Sequence, residues 1–215
     1  VLYSRSIKPI SSTGLTGWRR TERKRDLLAY TTEGLRHHNR ALVLKRLRAA
    51  GAATHGELAR SSGLASGTVS VILNEFVDEG VIFKQQGTAS SGRGRPKVHF
   101  EIFGELALAG LIRITSEEVE FSTIDFAGTL KDRFTLSRPR EGSSATEFIH
   151  LIRQGMNRLA ERAQIKLSDF AATTLSTKGI IAPGSNALLW SAAFGNQTID
   201  FSRAFHDLGS RLRLI

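Results

Sequence analysis

From Thr54 to Glu79 the apolar positions fall into two short helical registers separated by a tight corner. Thr54 and Glu57 form a T-x-x-E capping box, which opens a helix because each side chain satisfies a backbone N–H that the neighbouring turn leaves unpaired. Leu58 and Ala59 follow as a small apolar face. Gly63 closes that helix, since glycine takes the left-handed backbone of a C-cap without steric cost. Leu64 plugs the corner, and Ser66 is placed as the N-cap of a second helix over 66–79. There Val69, Ile72, Leu73 and Phe76 recur three and four apart and predict one buried stripe. The opposite face carries Gly67, Thr68, Ser70 and Asn74, small or polar residues that can approach a base edge closely. Two helices in this order predict a helix-turn-helix, whose second helix enters the major groove of DNA.

The pattern on either side extends the unit. Gly34 to Gly51 reads as a helix with Leu35, Leu42, Val43, Leu47 and Ala50 on its buried side and Arg36, Arg40, Lys45, Arg46 and Arg48 on its wet side. After Gly80 the period changes from helical to two-fold. Val81 to Gln86 is predicted as a strand, Gly87 to Gly94 as a turn, and Lys97 to Ile102 as the returning strand with Val98, Phe100 and Ile102 on one face. Three helices followed by a hairpin predict a winged helix over 34–102. Its tip, Ser91-Gly92-Arg93-Gly94-Arg95-Pro96-Lys97, resembles the AT-hook core, a peptide that lies flat in a narrow A·T-rich minor groove. The candidate DNA-binding residues are therefore Ser66, Gly67, Thr68, Ser70, Asn74, Arg93, Gly94, Arg95 and Lys97.

Beyond residue 102 the elements change class. Leu106 to Ile114, Glu118 to Asp125 and Thr129 to Leu136 read as strands, with Gly128 in the second turn. Ser144 to Gln164 reads as an amphipathic helix with Phe148, Ile149, Ile152, Met156, Leu159 and Ala163 inward. Phe170 to Ile181 reads as one strand, Pro183 to Asn186 as a turn, and Ser202 to Leu212 as a last helix. Residues 1–33, with Arg19, Arg20, Arg23, Lys24 and Arg25, read as a basic flexible arm.

Charge sharpens this division. The 215 residues carry a formal net charge of +10, and residues 1–100 hold 17 Lys and Arg against 7 Asp and Glu. Residues 101–215 hold 13 of each, so the whole excess lies with the helix-turn-helix. A basic half attracts phosphate whatever the base sequence, through counterion release. There is no cysteine, which excludes disulfides and any cysteine-ligated metal site. No apolar run approaches the roughly 20 residues of a membrane span, and a cytoplasmic location is expected. His37 and His38 are adjacent, so on a helix their side chains diverge and do not make a metal pair. Ser176 and Ser191 lack the G-x-S-x-G setting of a hydrolase nucleophile. Neither a metal nor a cofactor is expected.

The ordered set Asn39-Arg40, Glu57-Leu58-Ala59, Gly63-Leu64, Thr68-Val69-Ser70, Glu79-Gly80 and Gly94-Arg95-Pro96 resembles the ROK family (repressors, open reading frames, kinases). Within it, the chain looks like the transcriptional-repressor branch related to the xylose and N-acetylglucosamine repressors. The resemblance implies an α/β (α+β overall) chain: a winged helix-turn-helix over 34–102, then over 103–215 the first lobe of an actin-like, ribonuclease-H-like sugar-kinase fold. It implies a repressor of sugar-metabolism genes, with double-stranded DNA as partner and a sugar or sugar phosphate as effector; a homo-oligomer is expected because a lone first lobe leaves apolar surface uncovered. Family kinases carry Asp-x-Gly-x-Thr between the first two strands; here that place reads Leu111-Ile112-Arg113-Ile114-Thr115-Ser116-Glu117, without the aspartate or the glycines. The family's catalytic Glu-Asn-Asp is expected after the last helix, and the sequence ends at Ile215 before it, so the chain reads as truncated after the first lobe and no enzyme activity is expected. The family's Pro-Asn pair is Ala192-Ala193 here, leaving Asn196 as the ligand-binding candidate. The competing reading is a degenerate or truncated sugar-kinase-like protein without catalytic residues.

Overall fold

The computed structural model describes residues 31–86, 97–138, 144–183, 185–191, 198–206 and 212–215. The basic arm up to residue 30 and the wing tip 87–96 lie outside these residues, as do the last-helix positions 207–211.

Helix α1 spans Thr32–Ala50 and opens two residues before the expected Gly34, with the Thr31 hydroxyl accepting from the Gly34 N–H at 3.0 Å. Its buried stripe is Val43, Leu44 and Leu47. Leu35 and Ala50, placed inside from their spacing, are exposed, and Leu44 takes the buried place instead. Among the described residues the stripe is confined to the second half of the helix, so a period fitted over its full length overstates the buried face. Strand β1, Ala52–Thr54, follows immediately and was not foreseen, because a three-residue Ala-Ala-Thr has no alternation to read.

Helices α2 (His55–Ser62) and α3 (Ser66–Asp78) make the predicted pair. The α3 stripe Val69, Ile72, Leu73 and Phe76 is fully buried. Burying each such side chain stabilises the fold by about 1.5–3 kcal/mol before conformational entropy is subtracted. Strands β2 (Ile82–Gln86) and β3 (Val98–Ile102) form the wing stem. They pair antiparallel, with Ile82 opposite Ile102, and β3 also pairs β1, giving the order β1-β3-β2. Phe100 and Ile102 face the core as expected, whereas Val98 at the outer end is exposed.

The second core lies over a five-stranded sheet of order β11 (Leu212–Leu214), β7 (Ala172–Thr177), β4 (Leu108–Ile114), β5 (Glu118–Asp125), β6 (Leu130–Ser137). Strands β4 (Leu108–Ile114), β5 (Glu118–Asp125) and β6 (Leu130–Ser137) form an antiparallel meander. Helix α4 (Ala145–Arg162) then returns the chain so that β7 (Ala172–Thr177) lies parallel to β4. Ser144 and Glu147 cap α4 with a second capping box. Phe148, Ile152, Met156 and Leu159 face inward as predicted, and Gly155 and Ala160 complete the stripe. Gly155 lies directly over the Phe121 ring, where an added Cβ would come within 2.1 Å of Cζ.

Two expectations fail here. The single strand over 170–181 is two strands in two sheets: β7 stays in the large sheet, and β8 (Gly179–Ile181) leaves it to pair with β9 (Ala187–Ser191). The small sheet is completed by β10 (Ile199–Asp200). A continuous apolar run cannot reveal a change of sheet, because both halves are extended. Of the last helix expected over 202–212, the described residues show one turn, α5 (Phe201–Ala204), and Leu212 instead begins β11 (Leu212–Leu214), which is parallel to β7. The turn before β9 is as predicted, and its Asn186 carboxamide holds β11 by accepting from the Leu214 N–H at 3.1 Å and donating to the Leu212 carbonyl at 3.2 Å.

The turn after β5 does not stay with its own sheet. Phe126 and Ala127 pack on the partly buried edge of the helix-turn-helix core. The Arg48 guanidinium, at the end of α1, donates to the Phe126 carbonyl through Nη2 at 2.8 Å and Nε at 3.3 Å.

Candidate nucleic-acid interface

The frame of the interface is set by the two ends of α2. At its start the Thr54 N–H donates to Glu57 Oε2 at 2.8 Å, and the Glu57 N–H donates to Thr54 Oγ1 at 3.4 Å. At its end Gly63 takes φ 72°, a left-handed conformation costly for any side-chain-bearing residue. The reversal that follows brings the His55 ring against the Ser66 carbonyl, with Nε2 at 3.0 Å, so the N-termini of α2 and α3 are tied together. Ser66 is the first helical residue of α3 rather than its cap. Ala65 occupies the cap position with no side-chain bond, because the corner is already held by the flanking packing and by His55.

Helix α3 is held from behind. Arg40 of α1 reaches Glu75 and Glu79 at 2.5 Å each, and its guanidinium carbon lies 4.4 Å from the Phe76 ring centre. Burial works against the charge on Arg40, but the hydrogen bonds and charges of Glu79 and Glu75 outweigh it, and its pKa is raised. Arg40 was assigned to the wet side of α1 from its charge; the structure makes it the clamp between α1 and α3. This clamp also neutralises Glu75 and Glu79, two of the three acidic groups on or at the end of α3, which would otherwise repel phosphate.

With the apolar stripe buried and Glu75 and Glu79 held from behind, α3 presents a defined outer face, at the far end of which Asp78 is exposed. Gly67, Ser70 and Asn74 are exposed on it, as is Ser66 at its start, and Thr68 is half-buried at its margin. Val71 falls on the same face, four residues after Gly67 and three before Asn74, and is 58% exposed. Helical spacing alone places Val71 on this face, but an apolar side chain gives no polar signal of a base-reading position. Lys97 is exposed at the entry to β3. Arg93, Gly94 and Arg95 of the wing tip lie outside the described residues, as does Asn196.

Elsewhere the candidate chemistry resolves into structure. Thr115 Oγ1 accepts from the N–H groups of Glu117 and Glu118 at 3.3 and 3.1 Å. Those donors close a tight turn. Ser191 is fully buried and donates to the Lys178 carbonyl at 2.7 Å. Among the described residues no cluster of three His, Asp or Glu side chains has a metal-binding arrangement.

Residues 37–82 match the family model for winged helix-turn-helix DNA-binding, which places the α2–α3 pair and the start of the wing within it. The chain is similar to the crystal structure of a ROK family transcriptional regulator, a homologue of the E. coli MLC protein, with a TM-score of 0.57 and 14% identity. That likeness covers 84% of this chain and 45% of the regulator, so the chain spans less than half the length of the protein it matches. At this identity the likeness shows a shared fold: a winged helix-turn-helix followed by a mixed β-sheet with its helix. A ROK family protein from Streptococcus pneumoniae TIGR4 in complex with sucrose is 17% identical over 50% of this chain and 33% of its own, with a TM-score of 0.39. The inorganic polyphosphate/ATP-glucomannokinase of Arthrobacter sp. strain KM is 18% identical over 51% and 44%, with a TM-score of 0.41. Both scores are too low to define a shared fold. No curated protein matches the sequence.

Proposed function

We propose that this chain is the DNA-reading part of a ROK-type transcriptional regulator, a repressor of sugar-metabolism genes. The observation that carries the reading is the outer face of α3. It is exposed and free of charge from Gly67 to Asn74, and it is backed by a buried stripe, in a segment matching a DNA-binding family. Specific reading needs small and polar groups at the base edges, and positioning needs cations on the backbone. Exposed Arg36, Lys45 and Arg46 of α1, with Lys97 and the wing-tip arginines, supply the cations. The organisation proposed is a basic arm over 1–33, the winged helix-turn-helix over 34–102 and a partial ROK sugar-kinase-like domain over 103–215. The whole acts in the cytoplasm as a homo-oligomer. A sugar or sugar phosphate is the proposed effector, on the family resemblance alone.

The kinase-like alternative is disfavoured by the turn at Thr115, whose backbone donors are taken up within the turn. The chain is therefore read as non-enzymatic.

The test is selection from a pool of randomised duplexes, followed by titration of the selected duplex against a scrambled one at two salt concentrations. A regulator enriches a defined site and binds it about a thousandfold more tightly than the scrambled duplex, the lower end of the range typical of specific complexes. Replacing Arg93 and Arg95 together by alanine weakens binding several-fold more on A·T-flanked sites than on G·C-flanked ones if they enter the minor groove. The loss is uniform, with a shallower salt slope, if they touch only phosphate. Enrichment of no sequence would sink the reading.

A further inference from the structure

We propose that Val71 reads a thymine methyl group in the major groove, an inference that rests on the DNA-binding reading above. Isolated apolar side chains on a surface are ordinary and need no explanation. Val71 differs in its setting. It is the only large hydrophobic exposed on α3, at 58%, and it stands at the middle of the face made by Gly67, Ser70 and Asn74. Gly67 has no side chain, and nothing lies within 4 Å of where its Cβ would be. Ser70 is short. The two Val71 methyl groups are therefore among the outermost atoms of the central turn, and a groove docked on this face meets them early. Every base edge in the major groove offers hydrogen-bond donors or acceptors, but only thymine adds an apolar group, its C5 methyl. A branched aliphatic side chain has nothing to offer a donor or acceptor and would leave it unpaired, so it favours thymine and disfavours the polar edges of cytosine and guanine. Valine also has a stiff χ1 on a helix, so the contact orders little that was free before binding.

The test separates this contact from the reading it depends on. The duplex selected by the wild-type protein is remade with deoxyuridine at one thymine at a time, which removes only the methyl group. At one or two thymines the wild-type protein should bind about fourfold more weakly, the fold-change expected for one buried methyl-sized group. Val71→Ala should bind the thymine duplex more weakly by a similar factor and be indifferent to deoxyuridine at that same position. Val71→Thr, nearly isosteric, controls for packing, and a thermal melt of each variant controls for folding. Sensitivity at no thymine, or equal sensitivity in the wild type and Val71→Ala, overturns the proposal while leaving DNA binding in place. Failure of the wild type to select any site removes both.

Discussion

Arg40 shows how one residue can serve packing and function together. Its side chain is only 20% exposed, and it joins two glutamates and an aromatic ring that all belong to the end of the recognition helix. Removing Arg40 takes a charged partner from both glutamates and an apolar stem and a cation from the ring. Arg40→Ala is expected to destabilise the fold by about 1–3 kcal/mol in urea unfolding, and Arg40→Met by less, because methionine keeps part of the apolar stem over Phe76. A change within error for both would show that the clamp is idle. Two carboxyls give a residue-scale pH dependence. The backbone and hydroxyl of Thr54 hold Glu57 below the usual carboxylate range, and the Arg162 guanidinium does the same for Asp132. Both pKa values are lower folded than unfolded, so their stabilisation is complete above the ordinary carboxylate range and is lost as pH falls through it toward the folded values. The urea midpoint should therefore drop on acidification and stay level above neutrality. Glu57→Gln, which can still close the capping box, should make the acid limb shallower; an unchanged limb would count against the assignment.

At the scale of elements, the contact of α4 with the large sheet depends on an absent side chain. Gly155 lets the helix come down onto Phe121, which itself stacks on Phe134 with ring centres 5.2 Å apart. A methyl group at 155 meets that ring head-on, and close-packed interiors accommodate extra volume only by displacing neighbours. Gly155→Ala is expected to lower stability by about 1–3 kcal/mol despite the better helix propensity of alanine. Thermal unfolding should recover in the double variant with Phe121→Leu. A stabilised Gly155→Ala would mean that the helix stands further from the sheet than this packing requires. A similar constraint acts at Gly179, where a Cβ would lie 2.3 Å from the Trp190 carbonyl oxygen, and it marks the place where the chain leaves one sheet for the next.

At the scale of the whole molecule, the small sheet gathers several exposed apolar side chains among the described residues. Ile180 and Trp190, paired across β8 and β9, are 58% and 42% exposed, and Leu189 beside them is also exposed. Clustered apolar surface of this kind favours association. The expected outcome is sedimentation at tens of micromolar as a dimer or larger species, with Ile180→Ser and Trp190→Ser together shifting the distribution toward monomer. A clean wild-type monomer would remove the homo-oligomer from the proposed function.

Local chemistry made the helix-turn-helix legible from sequence alone. The T-x-x-E box, the left-handed Gly63 and the three-and-four spacing of Val69, Ile72, Leu73 and Phe76 each act within a few residues, and all appear in the structure as read. The meander β4–β5–β6 and helix α4 were legible for the same reason, since alternation and period are properties of contiguous sequence. What the sequence could not settle depended on partners far along the chain. Arg40 reads as a solvated cation until Glu75 and Glu79 are brought to it, and β1 becomes a strand only because β3 lies beside it. The break between β7 and β8, and the pairing of Leu212–Leu214 with β7, follow from which edges remain open once the sheet has formed. Sequence determined the local conformations, and tertiary contacts decided which charges were neutralised, which edges were paired and which face of α3 was left free to meet another molecule.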